Sequence, residues 1–258
     1  MAFRNIRKWA QAQLFQSDPS INEYFPETVQ FSVDALRDFL NRYPFVYVKP
    51  DGGGQGKGII RIGLKMDGLY SVHGYSTKGK PFSLEVHDLN QIKEIIQPTS
   101  FDEKHRIFIL QQGITSISKD GVPSGIRVHT QKVQNKWVRS GILGKLVSSE
   151  DGIVNRNRGA EAIPIEEFLT HHAGMDKKKA KKVEKEIKHI SLRVSQAFSK
   201  GYPWCEECGI DIGLDPSGKP WIFEVNTIPS TAFFYQLPDK SMWRQIMNNR
   251  KQNKKEKQ

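Results

Sequence analysis

The sequence predicts an α+β fold, and three observations carry that prediction. Strand-like and helix-like stretches follow one another without the regular alternation of a parallel sheet. A glycine-rich segment, Pro50–Gly58, separates two apolar stretches of strand character. Further on, Ile210–Leu214 and Pro220–Val225 flank the strong turn Asp215-Pro216-Ser217-Gly218, as in a hairpin.

The elements follow in order. Arg4–Phe15 carries Ile6, Trp9, Ala10 and Leu14 on one side and reads as a helix. Tyr24–Val29 contains a proline and reads as extended chain. Ser32 is a good N-cap for a helix over Val33–Arg42, which Pro44 ends. Phe45–Lys49 is a short apolar strand. Ile59–Lys65, Leu69–Tyr75 and Pro81–Val86 alternate as strands, with turns at Asp67-Gly68 and Lys78-Gly79. His87–Ile96 reads as a helix and Phe108–Gln112 as a strand. Ser124–Gln134 and Lys136–Val147 form a hairpin turning at Asn135-Lys136. The longest helix is Asp176–Lys200, where Ala180, Val183, Ile187, Ile190 and Val194 recur every three or four residues. Short helices follow at Ser230–Gln236 and Lys240–Asn249.

Composition narrows the class. The chain has 258 residues, 37% of them hydrophobic and 26% charged, enough to bury a core in one domain or two joined lobes. No apolar run approaches the roughly 18 residues of a membrane span. Met1–Gln16 lacks the apolar region of a secretory signal, so the expected compartment is the cytoplasm. Much of the net charge of +11 sits in Lys177–Lys188 and Arg250–Gln258. A solvated helix face and a frayed tail account for both, and Lys177–Lys188 has no aromatic residue. That argues against a nucleic-acid partner. Cys205 and Cys208 form a C-x-x-C pair, but no second pair completes a zinc ribbon and a strand follows where a thioredoxin-like motif needs a helix. Reduced cytosolic thiols are the expectation.

Two motifs can carry chemistry. In Val48-Lys49-Pro50-Asp51-Gly52-Gly53-Gly54-Gln55-Gly56-Lys57-Gly58, backbone N–H groups can approach phosphate oxygens unhindered by Cβ atoms, and lysines add charge. The order is not that of a Walker A loop, and a flexible hairpin loop is the competing reading. The second motif is Gly209-Ile210-Asp211-Ile212-Gly213 followed by Trp221-Ile222-Phe223-Glu224-Val225-Asn226-Thr227. Glu224 and Asn226 project from one side of their strand, and the turn brings Asp211 close. Three oxygen ligands on one hairpin suit Mg²⁺. A polar solvent face is the alternative, against which stands the apolar run around these residues.

Lys49-Pro50 with its glycine loop, Asp211, and Glu224-Val225-Asn226-Thr227-Ile228-Pro229 resemble ATP-grasp enzymes such as D-alanine–D-alanine ligase. The chain resembles more closely the YheC/YheD-type ATP-grasp family of spore-forming bacteria. Phe25-Pro26-Glu27-Thr28, Gly56-Lys57-Gly58 and Gly209–Gly213 before Trp221 carry that likeness, which runs from about Trp9 to Pro229.

The resemblance implies two α+β lobes with the nucleotide between antiparallel sheets: a nucleotide lobe over about 45–113 and a metal and substrate lobe over 114–249. A helical lead-in, 1–44, and a basic disordered tail, 250–258, flank them. By matched position, Lys49 contacts the α- and β-phosphates, and the loop with Gly53, Gly54, Gly56, Lys57 and Gly58 closes over the triphosphate. Gln111, Gln112 and Ile114 hold adenine. Arg127 contacts a phosphate or the substrate, Lys145 and Arg158 face the acyl-phosphate end, and Asp211, Glu224 and Asn226 hold Mg²⁺. Asn155-Arg156-Asn157-Arg158-Gly159 resembles an Asn-x-x-Arg-Gly-Gly stretch of glutamate-ligase-like members, with Ala160 in place of the second glycine. Gly209 stands where the D-alanine ligases carry an arginine. After Ile114 no ribose-binding acid is evident, and no substrate-binding domain precedes these motifs. The implied activity is ATP-dependent ligation of an unidentified carboxylate and amine, with a partner protein as a source of the missing domain and spore formation as the setting. A non-ligase phosphotransferase or a nucleotide-dependent assembly factor is the second reading.

Overall fold

The computed structural model describes residues 6–53, 56–96, 107–146 and 160–255. Gly54, Gln55, Arg158 and the rest of Asn155–Gly159 therefore lie outside the described residues. The elements run α1 (Lys8–Gln16), α2 (Pro19–Asn22), β1 (Thr28–Gln30), α3 (Val33–Arg42), β2 (Phe45–Pro50), β3 (Ile60–Leu64), β4 (Tyr70–Tyr75), β5 (Pro81–Val86), α4 (Asn90–Ile96) and β6 (Phe108–Gln112). They continue with β7 (Ser124–Val133), β8 (Lys136–Leu146), β9 (Glu161–Pro164), α5 (Ile165–Glu167), a π-helical turn (Phe168–His172), α6 (Lys177–Gly201), β10 (Glu207–Leu214), β11 (Pro220–Asn226), α7 (Ala232–Gln236) and α8 (Ser241–Lys255). The class is α+β, with two antiparallel sheets. No helix among the described residues is long and apolar enough to cross a membrane.

The chain divides into two compact units. One comprises Arg7–Gln13 and Pro26–Ile114; the other comprises Met1–Ile6, Leu14–Phe25 and Thr115–Gln258. The first unit holds a sheet ordered β1-β6-β2-β3-β4-β5. Alternation sends Val46, Val48, Ile60, Ile62, Val72 and Leu110 to one face, where α3 and α4 cover them with Leu36, Phe39, Ile92 and Ile96. β1 and α3 are thus integral to this unit, where the sequence reading had made them part of a lead-in. Ser32 caps α3 as expected, its hydroxyl accepting from Ala35 N at 3.0 Å.

Two helix starts differ from the sequence reading. α1 begins at Lys8, because Asp51 caps it from 42 residues away: Trp9 N donates to Asp51 Oδ1 at 2.7 Å. α4 begins at Asn90, where Asp88 Oδ1 accepts from Asn90 N at 2.9 Å and holds the preceding residues in a turn.

The second unit holds a sheet ordered β11-β10-β7-β8-β9. The β7–β8 hairpin turns at Gln134 and Asn135, both with positive φ, and Lys136 already opens β8. α6 packs its predicted apolar stripe against this sheet, and Asp176 is its N-cap, accepting from Lys179 N at 2.8 Å. Its lysines, from Lys177 to Lys188, are exposed. The buried residues Ile126, Val128, Ile210, Ile212, Ile222 and Val225 are joined in the core by Val183, Ile187, Ile190 and Val194 of α6.

The C-terminal segment corrects the frayed-tail reading: α8 continues through Lys255. Ile246 is fully buried, Asn249 Nδ2 donates to Gln131 Oε1 at 2.9 Å and to Ser140 Oγ at 3.1 Å, and Asn253 Nδ2 donates to the Lys132 carbonyl at 2.7 Å.

Candidate functional site: a cation–carboxylate cluster and a glycine loop

On the second unit's sheet, Asp211 lies directly opposite Glu224 on one side and Arg127 on the other, and Gly209 lies opposite Asn226. Cross-strand partners share a face, so Arg127, Asp211, Glu224 and Asn226 all stand on the same face. The β10–β11 pairing shifts register after Asp211, which leaves Phe223 unpaired. The irregularity lies beyond Glu224 and leaves that row intact. Lys145 joins from β8 by reaching past its glycine partner Gly125.

Two cations converge on one carboxylate. Lys145 Nζ is 2.6 Å from Asp211 Oδ1, and Arg127 Nη2 is 2.9 Å from Asp211 Oδ2. Asn226 Nδ2 lies 3.4 Å from the same Oδ2. The Lys145 side chain is only 4% exposed. Burial pulls its ammonium below the ordinary lysine value, against the opposing pull of Asp211. Burial would raise the Asp211 carboxyl, but the charges of Arg127 and Lys145 outweigh it and hold the group below the usual carboxylate range. The buried Nε of Arg127 has no hydrogen-bond partner among the described residues.

Among the described residues no three of His, Cys, Asp and Glu gather as a metal site. The set here has two such residues and draws its third oxygen from an amide. Two carboxylates and an amide oxygen on one face are hard donors, and they fit Mg²⁺, which completes its shell with phosphate and water. The orphaned Arg127 N–H also fits a site built to take a polar ligand.

Gly209 has a steric role. A Cβ there would lie 2.5 Å from Arg127 Nη1 and 2.5 Å from Pro229 Cβ. The Arg127 guanidinium thus occupies the space over Gly209. Gly209→Ala should displace Arg127 from Asp211, costing about 1–3 kcal/mol of stability as an overpacking substitution. A urea titration checks this; an unchanged midpoint would mean the space is freer than the geometry shows.

On the first unit, Lys49, Tyr47, Gln111 and Thr28 share the face opposite α3 and α4. Lys49 Nζ donates to Gln111 Oε1 at 2.5 Å, Gln111 Nε2 donates to Thr28 Oγ1 at 2.9 Å, and Thr28 Oγ1 donates to the Pro26 carbonyl at 2.8 Å. Gln111 is buried and its amide is engaged at both ends. Gln112 Oε1 accepts from Glu27 N at 3.2 Å, and Ile114 is buried at the end of this unit. Among the described loop residues, Gly53, Gly56 and Gly58 have positive φ, a conformation costly for any residue with a Cβ. Gly58 also packs so closely that a Cβ would fall 2.6 Å from Pro50 Cγ. Lys57 is exposed. Asp51 anchors the start of the loop: besides capping α1, its own N–H donates to the Ile107 carbonyl at 2.9 Å.

The sequence matches the family described as YheC/D-like ATP-grasp over residues 3–252. The chain belongs to that family. Among relatives of this YheC/D-like protein, the endospore coat-associated protein YheD of Bacillus subtilis (strain 168) is 27% identical over 235 residues, covering 89% of this chain and 49% of YheD. The endospore coat-associated protein YheC of the same organism is 24% identical over 226 residues, covering 86% of this chain and 59% of YheC. The chain thus spans about half the length of the known relatives it matches. The VanG D-Ala:D-Ser ligase from Enterococcus faecalis is similar in fold, with a TM-score of 0.54 at 15% identity, over 95% of this chain and 61% of that one. The fold of this YheC/D-like chain is therefore ATP-grasp.

Sequence reasoning named Arg127, Lys145, Asp211, Glu224 and Asn226, and these five share one sheet face. It also named Lys49 and Gln111, which hydrogen-bond each other. It missed Asp51 as the anchor of the glycine loop and helix α1, a link with no local signal. It missed the group His129, Glu207 and Arg250 as well. There His129 Nε2 meets Glu207 Oε1, and Arg250 Nε lies 2.9 and 3.1 Å from the two Glu207 oxygens.

Proposed function

We propose that this chain binds Mg·ATP and acts as a carboxylate–amine ligase through an acyl phosphate. The observation that carries the reading is the convergence of Arg127 and Lys145 on Asp211, beside Glu224 and Asn226, in a chain of the ATP-grasp family. Asp211, Glu224 and Asn226 hold Mg²⁺, which when bound neutralises triphosphate charge. Lys49, with Gly53, Gly54, Gly56, Lys57 and Gly58, cradles the phosphates. The Gln111 amide holds Lys49 in place, which leaves adenine to Gln112, Ile114 and the backbone at the end of β6.

In the first step a substrate carboxylate oxygen bonds to the γ-phosphorus and the bond to the β–γ bridging oxygen breaks, releasing ADP. An amine then bonds to the acyl carbon, loses a proton, and phosphate leaves. Arg127 and Lys145 supply fixed positive charge where negative charge builds up, and the resemblance gives Arg158, outside the described residues, the same role. The lysine is well suited because burial keeps it away from water, and its partner Asp211 keeps it oriented. YheD and YheC are named as endospore coat-associated, and we assign this chain to the same setting of spore formation.

The test is ADP release from Mg·ATP in the presence of pooled amino acids and short peptides, with hydroxylamine as trap. Hydroxamate formation supports the ligase. ADP release without hydroxamate favours a phosphotransferase or assembly factor on the same scaffold.

A further inference from the structure

We propose that Arg250, on the C-terminal helix α8, is a positioning residue for the proposed metal ligands through the loop that follows Asn226, an inference that rests on the Mg·ATP reading above. The sequence placed Arg250 in a frayed basic tail, yet its guanidinium is the junction of three segments. Nε contacts both Glu207 oxygens at 2.9 and 3.1 Å, Nη2 lies 2.8 Å from Glu207 Oε1, and Nη2 donates to the Pro229 carbonyl at 2.9 Å. Glu207 opens β10, four residues before Asp211. Pro229 lies three residues after Asn226. One planar fork therefore ties together the strand that carries Asp211 and the loop that leaves the strand carrying Glu224 and Asn226.

The surroundings leave that loop little other room to move. Pro229 packs over Gly209, where a Cβ would lie 2.5 Å from Pro229 Cβ, and the same space holds the Arg127 guanidinium. A shift of Pro229 would disturb both Asn226 and Arg127. Glu207 is in turn held by His129, whose ring meets Phe234 edge-on at 5.6 Å. α8 itself is fixed one turn earlier by Ile246, whose carbonyl accepts from Gln131 Nε2 at 3.1 Å, and by Asn249, and one turn later by Asn253. The fork thus stands on a rigid base. Ile228, between Asn226 and Pro229, is 76% exposed and gives the loop little apolar anchorage of its own. Arg250 adds a polar anchor beside the buried Thr227 and Pro229.

The experiment compares wild type, Arg250→Gln, Arg250→Lys and, as control, the exposed neighbour Lys251→Gln. Binding of a fluorescent ATP analogue is measured in Mg²⁺ and in EDTA, and amide hydrogen exchange is followed across residues 227–230. Groups that orient metal ligands from behind typically change metal affinity about 10–100-fold. A loss of that order is expected for both Arg250 variants in the Mg²⁺-dependent part of binding, with binding in EDTA and the control unchanged. Faster exchange at 227–230 should accompany it. Arg250→Lys keeps a charge for Glu207 but cannot fork to Glu207 and Pro229 together, so it tests the role in a protein that keeps its fold. Unchanged Mg²⁺ dependence and unchanged loop exchange in Arg250→Lys would overturn the proposal, as would an equal loss with and without Mg²⁺. Absence of Mg²⁺-dependent binding in the wild type would overturn the Mg·ATP reading and this role with it. Normal wild-type binding beside an unaffected variant overturns the role alone.

Discussion

Replacing Asp211 by asparagine is expected to lower the unfolding free energy by about 3–5 kcal/mol, the cost of leaving buried charges without their counter-ion. The geometry sets the sign. Asp211 is the shared partner of Lys145, at 2.6 Å, and Arg127, at 2.9 Å, and both cations are largely shielded from water. An asparagine of the same shape keeps the packing and removes the charge. Urea unfolding of the nucleotide-free protein in EDTA measures the loss. The double variant Asp211→Asn/Lys145→Met should recover at least about 1 kcal/mol, because one of the two stranded charges is gone. A loss below about 1 kcal/mol in the single variant would mean that the pair is solvated and close to a surface ion pair.

The same contact predicts a pH dependence. The folded-state pKa of Asp211 is held below its unfolded value, so the unfolded chain binds the proton first as pH falls. The stability this group contributes is therefore fully present above the unfolded carboxylate value of about 3.9 and is lost as pH drops through the folded value. The difference between wild type and Asp211→Asn should hold steady from neutrality down to about pH 5 and shrink below about pH 4.

Replacing Glu224 by glutamine is expected to reduce ATP turnover by at least about 100-fold while changing stability by no more than about 1 kcal/mol. Glu224 stands opposite Asp211 and is partly exposed to solvent, and glutamine keeps its size while removing its charge. Steady-state ADP release and urea unfolding, run on the same preparation, check the two halves together. Wild-type turnover in Glu224→Gln would remove it from the metal site. The two carboxylates should differ in stability: both substitutions remove a proposed metal ligand and act on turnover, but Asp211→Asn also strands Lys145 and Arg127.

The parts of this molecule written in local pattern were readable before the structure was known. Val33–Arg42 and its Ser32 cap, the α6 stripe, and the Asp211–Glu224–Asn226 face all follow from periodicities of 3.6 or 2 and from turn residues. What could not be read depends on contacts distant in sequence. Asp51 fixes the start of α1 from 42 positions away. Arg250 and its helix were taken for a tail because 250–258 is polar and basic throughout, and the Asn249 and Asn253 side chains that sew α8 to β7 and β8 make polar contacts that hydropathy does not register. β9 went unseen since Glu161–Pro164 is too short to alternate, and its place at the sheet edge is set by pairing with β8. At the glycine loop the sequence showed conformational freedom, and the positive φ values at Gly53, Gly56 and Gly58 agree. The engagement of Gln111 by Lys49 and Thr28 is a property of three strands meeting, and no single segment encodes it.

The central claim is that this chain binds ATP through Mg²⁺ held by Asp211, Glu224 and Asn226. Calorimetric titration of ATP into the wild type and into Glu224→Gln, each with Mg²⁺ and with EDTA, tests it most directly. The account predicts binding by the wild type that is strengthened by Mg²⁺, and a Glu224→Gln variant in which Mg²⁺ adds little. No binding by the wild type, or a Mg²⁺ effect of equal size in both proteins, would contradict it.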